Sequence, residues 1–286
     1  MITASFAQLS QSGMLLSYLK PTQEMIDPIL QSVPEVSVNK KFIDKLRGDI
    51  ELNNVSFRYK EDQPYILNDI SLKISQGDYV AIVGRSGCGK STLLRLLLGF
   101  ESPDMGTVSY DNINLEEIDP VSLRQNIGTV LQDGKLFAGD IFSNITIAAP
   151  YLNLDDAWEA AKMAGIADTI RNMPMGMHTL ISEGSGGVSG GQKQRLLIAR
   201  AIAPKPKILV FDEATSALDN ITQKIVSESL ESLKCTRIVV AHRLSTIRNC
   251  SRIIMLESGK IIEDGTYDEL MAKNGAFADL LSRQQI

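Results

Sequence analysis

One short stretch of this 286-residue chain has the residue types and spacing for phosphate chemistry: GRSGCGKST at 84–92. It spells G-x-x-x-x-G-K-[ST], with an apolar run before it and a helical pattern after it. Gly84, Gly87 and Gly89 remove the Cβ atoms that would block a close approach. The backbone N–H groups of this loop, with Arg85, Ser86 and Cys88 between the glycines, can then turn inward to a polyphosphate. A helix starting near Gly89 adds its positive end. Lys90 supplies a point charge for the β- and γ-phosphates. The Ser91 hydroxyl can ligate Mg²⁺, and Thr92 completes the motif. Cys88 reads as a small residue in a tight loop. A helix N-terminus also lowers thiol pKa, so a redox-sensitive thiol is a second reading.

A second stretch, ILVFDE, places Asp212 and Glu213 at the end of an apolar run. Two adjacent carboxylates leaving a buried strand are costly unless something uses them. An Mg²⁺–phosphate site does. Asp212 suits the Mg²⁺ shell, and Glu213 suits a general base that polarises the attacking water. A helix N-cap with a solvated acid is the plainer alternative. His242 follows RIVVA at the tip of another apolar run, where it could bond the γ-phosphate. Gln132 ends IGTVLQ and could complete the Mg²⁺ shell. Tyr59 could stack on adenine. Taken singly, each of these three also reads as an ordinary loop residue. A further glycine-rich loop, SEGSGGVSGGQKQR at 182–195, poses a question, because one phosphate cradle per nucleotide is enough.

These residues need elements to hold them. IELNNVSFRY alternates as a strand does, and ILNDISLKI follows a turn at 62–64. DYVAIVG, KILVFDEA and RIVVAH are short apolar runs, the pattern of strands buried on both faces. Helical patterns separate them: STLLRLLLGF, PVSLRQNI, LDDAWEAAKMAGI and NITQKIVSESLESL. RIIMLESGKIIEDG reads as a hairpin turning at Ser258 and Gly259, and a final helix is predicted from 267 to about 283. Buried strands alternating with helices imply an α/β sheet. A helical insertion reads between about 132 and 187, or about 132–200 with the helix that follows the second glycine loop. Residues 1–47 differ: a short helix, a second helical segment near 23–31, and a linker to about Gly48, punctuated by Pro21, Pro28 and Pro34. They read either as an arm packed on the domain or as the tail of a membrane helix lying upstream.

Composition is that of a globular chain, with 44% hydrophobic and 22% charged residues. A formal net charge of -5 argues against a nucleic-acid partner, which usually meets a basic stripe. Three scattered cysteines without metal-ligand spacing suit a reducing compartment. No stretch approaches the ~18 apolar residues of a membrane span, so a soluble chain is expected.

VSGGQKQR closely resembles the signature motif of ATP-binding-cassette proteins, usually written L-S-G-G-Q. GRSGCGKST, ILVFDE, SALD at 216–219 and AHR at 241–243 follow the family's other motifs in order. The resemblance covers about residues 48–286. It implies a P-loop NTPase core with a mixed sheet, an N-terminal antiparallel β subdomain and an inserted helical signature subdomain. It also implies two cassettes that sandwich two ATP–Mg²⁺ head to tail. The loop with Lys90 works from one side. Ser189, Gly190, Gly191 and Gln192 of the other subunit work from the other side. Tyr59 matches the adenine-stacking position, Gln132 the glutamine loop that touches a transmembrane partner, Asp219 the acid of the inter-subunit loop, and His242 the switch histidine. Val188 stands where leucine is usual.

LRQNIGTVLQDGKLFAGDIFSNI and LLSYLKPTQEMIDPILQSVPEV resemble exporters, more narrowly exporters of bacteriocin-like peptides. The expected role is therefore the motor domain of an exporter at the cytoplasmic face of the membrane, as a homodimer with a transmembrane domain. A stand-alone importer ATPase is an alternative, as is a soluble ATPase of the same superfamily acting on nucleic acid. The chain's single cassette and negative balance disfavour the latter.

Overall fold

The computed structural model describes residues 2–32, 40–182, 187–212, 220–241 and 243–284. They form two units, residues 1–38 and 39–286. The first is a single helix, α1 (Ile2–Leu30), with Pro21 and Pro28 inside it. The sequence predicts two shorter helices here. Each proline removes its own N–H donor from the ladder and crowds the carbonyl four residues earlier; beside Pro21 the Thr22 hydroxyl donates to the Tyr18 carbonyl at 2.7 Å. The helix runs through both.

Among the described residues the second unit contains a four-stranded sheet, a six-stranded sheet, a two-stranded ribbon and a helical insertion. β1 (Ile50–Phe57) pairs antiparallel with β2 (Leu67–Ile74) and with β4 (Met105–Tyr110), which turns into β5 (Ile113–Asn114). β3 (Tyr79–Val83) leads to α2 (Lys90–Leu97). After α3 (Pro120–Gln125) come β6 (Ile127–Val130) and the short β7 (Gly139–Asp140). The insertion holds α4 (Ile141–Thr146), α5 (Leu154–Met163), α6 (Ala167–Arg171) and β8 (Leu180–Ile181), which pairs with β7. α7 (Gly190–Ile202) returns the chain to β9 (Ile208–Asp212). Then follow α8 (Asn220–Ser232), β10 (Thr236–Val240), α9 (Leu244–Arg248), and the hairpin β11 (Arg252–Glu257) and β12 (Lys260–Gly265). The large sheet has the order β12-β11-β3-β10-β9-β6, parallel except at β12.

The apolar runs are continuous because this sheet is buried on both faces. Alternate residues serve different cores. Val80, Ile82, Val210, Ile238 and Ile254 join the antiparallel subdomain and α2 in one cluster. Ala81, Val83, Leu209, Phe211 and Val239 join the helical insertion and α7 in the other. The hairpin turn has φ of 48° at Ser258 and 75° at Gly259, the two positive values that a tight antiparallel turn requires.

The predicted C-terminal helix is two helices, α10 (Tyr267–Lys273) and α11 (Ala276–Gln284). Asn274 adopts the left-handed conformation and ends α10. The Glu263 carboxylate then accepts from the N–H groups of Ala276 and Phe277 at 2.9 and 3.0 Å, which starts α11 anew. The last part of the segment read as a linker to Gly48 is bonded to the second unit. Leu46 N–H donates to Asn126 Oδ1 at 3.2 Å, and the Asp111 carboxylate accepts from the N–H groups of Arg47, Gly48 and Asp49. Among the described residues no helix is long and apolar enough to cross a membrane.

Thr236 ties three remote segments. Its fully buried hydroxyl donates to the Gly48 carbonyl at 2.8 Å and accepts from Gly77 N–H at 3.0 Å. Thr236→Val keeps the shape and leaves both backbone groups without that partner. It should lower unfolding free energy in urea by about 1–3 kcal/mol; an unchanged midpoint would show that the hydroxyl bridge is dispensable.

Candidate functional site

The parallel register brings the glycine loop, Gln132 and Asp212 to one end of the large sheet. Val240 lies beside Ile82 and beside Asp212, and Val130 beside Phe211. The glycine loop, Gln132, Asp212 and Ala241 therefore all leave the sheet at its C-terminal end, where α/β sheets place ligands.

The glycine loop follows β3 and ends at Gly89, the N-cap of α2, with φ of 106°. α2 exists because its leucines face the core: Leu93, Leu94, Leu96 and Leu97 are buried. Gly84 also has positive φ, and a Cβ there would collide with the Leu256 carbonyl of β11 and with Cys88 Sγ. These glycines are needed for both conformation and room. Arg85, Ser86 and Gly87 are exposed, while Cys88, Lys90 and Thr92 are buried. Lys90 bends back over the loop. Its Nζ donates to the Gly84 and Arg85 carbonyls at 2.9 Å each and lies 3.9 Å from Cys88 Sγ.

Asp212 closes β9 at 9% exposure, and its Oδ2 lies 3.5 Å from Ser91 Oγ. β10 separates β9 from β3 in the sheet, so hydroxyl and carboxylate face each other across the end of that strand. Both are hard oxygen donors. Among the described residues no cluster of three or more His, Cys, Asp or Glu forms a metal cage. A hydroxyl and one carboxylate suit Mg²⁺, which is usually held by one or two carboxylates together with substrate phosphates. Gln132 stands in an exposed turn two residues beyond β6. Tyr59 stands two residues beyond β1, 47% exposed, its ring edge-on to Phe57 with centroids 5.0 Å apart. Glu213, Asp219 and His242 lie outside the described residues.

The second glycine loop ends on α7. Ser189 is its N-cap: Ser189 Oγ accepts from Gln192 N–H at 3.3 Å, and Gln192 Oε1 accepts from Ser189 N–H at 2.7 Å. This reciprocal pair satisfies two donors at the helix start. Ser189 and Gly190 are exposed, Gly191 is half-buried, and Leu196, Ile198 and Ala199 are buried in the core shared with the sheet. A Cβ on Gly190 would meet nothing within 4 Å. Nothing inside the described chain requires a glycine at this position, so its openness faces outward.

All three cysteines are free. Burial raises the Cys235 thiol and pushes Cys250 up to about 12, so neither serves as a thiolate nucleophile. Sequence reasoning missed the backing of the cradle. Gly259 N–H donates to the Cys88 carbonyl at 3.2 Å. The turn signal was legible at Ser258 and Gly259, but no local pattern connects it to a loop some 170 residues earlier.

The family described as ABC transporter matches residues 67–216. The chain is 44% identical over 264 residues to the alpha-hemolysin translocation ATP-binding protein HlyB of Escherichia coli O157:H7, covering 92% of this chain and 37% of that protein. It is 43% identical over 261 residues to the leukotoxin translocation ATP-binding protein LktB of a Pasteurella haemolytica-like strain, covering 90% and 37%. The chain thus spans little more than a third of these relatives. A bacterial Atm1-family ABC exporter solved with ATP bound superimposes with a TM-score of 0.87 at 35% identity, over 99% of this chain and 51% of that one. With the glycine loop, the strand-end carboxylate and the self-capped signature helix all on one P-loop α/β scaffold, the chain belongs to the ABC transporter family.

Proposed function

We propose that this chain is the ATP-hydrolysing motor domain of an exporter, working as one of a pair of cassettes around two ATP–Mg²⁺. The observation that carries the reading is the 3.5 Å approach of Ser91 Oγ to Asp212 Oδ2 beside a buried lysine on a glycine loop. The loop's amides would bind the polyphosphate, with Lys90 exchanging its two carbonyl partners for β- and γ-phosphate oxygens. Ser91, Asp212 and Gln132 are the residues to hold Mg²⁺. When bound, it neutralises charge on the phosphates. Tyr59 would stack on adenine. Glu213 would take the proton of the attacking water, and His242 would hold that water and the γ-phosphate in line. ADP and phosphate then leave.

A glycine loop alone leaves one flank of the γ-phosphate open. Ser189, Gly190, Gly191 and Gln192 of a second copy would close it, with Asp219 at the seam. Nucleotide state then controls association, and hydrolysis loosens the pair. The openness around Gly190 supports this reading. The names of the toxin-translocating relatives support export of a peptide or protein cargo. Their greater length supports a transmembrane domain in the longer protein, with residues 1–47 as its connecting tail and 48–286 as the cassette. The motor would then sit on the cytoplasmic face of the membrane, most simply as a homodimer.

The direct test is size-exclusion with light scattering on Glu213→Gln, with and without ATP and Mg²⁺. A dimer that forms only with both is expected; a variant that binds no ATP overturns the reading. Lys90→Ala should lose roughly a hundredfold or more in ATP affinity, because a buried polyanion then lacks its cation; unchanged binding would remove the cradle. Ser189→Arg should leave ATP binding to the monomer intact and abolish the dimer. A Ser189→Arg monomer unable to bind ATP would contradict a site shared between subunits.

A further inference from the structure

The turn between β11 and β12 lies against the back of the glycine loop, and we propose that Gly259 is a positioning residue for the nucleotide. It locks the phosphate cradle to the subdomain that carries Tyr59. The inference rests on the ATP reading of the site.

Both backbone groups of Gly259 are used, and they point to different halves of the site. Its N–H donates to the Cys88 carbonyl at 3.2 Å, and its carbonyl accepts from Asn68 N–H at 2.9 Å. The peptide between Cys88 and Gly89 is planar and trans, so its C=O and N–H point opposite ways. Holding the Cys88 oxygen on the hairpin therefore turns the Gly89 amide away from it. Gly89 is the N-cap of α2, the position from which an amide reaches a phosphate. On the other side, Asn68 is the second residue of β2, and its neighbour Leu67 pairs with Phe57, two residues before Tyr59. One residue thus bridges the phosphate side and the base side.

The junction has no spare room. A Cβ on Gly259 would collide with the Ile66 carbonyl, and its φ is 75°. Leu67 Cδ2 and the Ile66 carbonyl also occupy the space beside Gly89, at 2.9 and 3.2 Å from where a Cβ would sit. The Leu256 carbonyl fills the corresponding space beside Gly84. The atoms that collide at 259 are backbone, so they cannot rotate aside as a side-chain tip would. An added carbon there must part the start of β2 from the hairpin turn, straining the bond from Asn68, or shift the turn and break the bond to Cys88.

The experiment compares Gly259→Ala with Gly77→Ala on the full chain. Gly77 also sits in a turn at positive φ, 83°, but its Cβ would meet nothing within 4 Å. Both variants carry the same kind of backbone strain, and only one carries the collision. Calorimetric titration with ATP and thermal unfolding are read on both. Gly259→Ala should bind ATP about tenfold or more weakly than the parent, since displacements near 1 Å cost that much or more. Gly77→Ala should stay within about twofold while losing only the thermal stability that a positive φ costs a non-glycine residue. A folded Gly259→Ala that binds ATP within about twofold of the parent overturns the inference, and so does an equal loss in Gly77→Ala. If Gly259→Ala does not fold, amide exchange of the parent decides. Protection of the Gly259 N–H should rise on adding ATP and Mg²⁺ while that of Gly77 stays constant; unchanged protection at Gly259 overturns the proposal. A parent chain that binds no ATP removes the functional reading itself, which separates the two failures.

Discussion

A polyphosphate carries more negative charge than any single side chain can match. A site for it therefore depends on many weak donors converging without a Cβ between them. That constraint organises this molecule. Glycine is needed at Gly84 and Gly89 because neighbouring atoms already fill the space a side chain would take. The loop must leave a strand and enter a helix, so β3 and α2 are placed around it. The carboxylate that faces Ser91 arrives from a second strand, with β10 between the two. The parallel register of β3, β10 and β9 brings Ser91 and Asp212 to 3.5 Å, and the double-sided burial of those strands keeps that register from slipping.

The candidate site was legible in the residues because its pattern is local. A cation and a hydroxyl stand at fixed offsets from glycines, and an acid sits at the end of an apolar run. Such short-range patterns seldom arise together unless a phosphate site requires them. The sheet was legible for a similar reason, since Val80, Ile82, Val210 and Ile238 interleave with residues that face the opposite core. What escaped was decided by remote partners or by a balance of small terms. The helix runs through Pro21 and Pro28, although each costs a donor and crowds a carbonyl. The break at Asn274 depends on Glu263, a β12 residue that caps the following helix. The bonding of Leu46 to Asn126 spans 80 residues and leaves no mark in either segment.

The signature helix is capped from within its own chain. Ser189 and Gln192 satisfy each other within a single chain, so the start of α7 is stable without a neighbour. The same side chains belong to the motif that carries the family resemblance. A helix end that is already capped presents its outermost groups in a fixed geometry.

The posture of Lys90 has a further consequence. Its ammonium does not wait in bulk water but is held by the carbonyl dipoles of Gly84 and Arg85 inside its own loop. Binding of an anion there is a ligand exchange at a cation that has already lost most of its water. The incoming oxygens must outcompete two well-placed neutral dipoles. A multiply charged phosphate sets full charges against those dipoles. The loop therefore holds its cation desolvated and aimed before any ligand arrives.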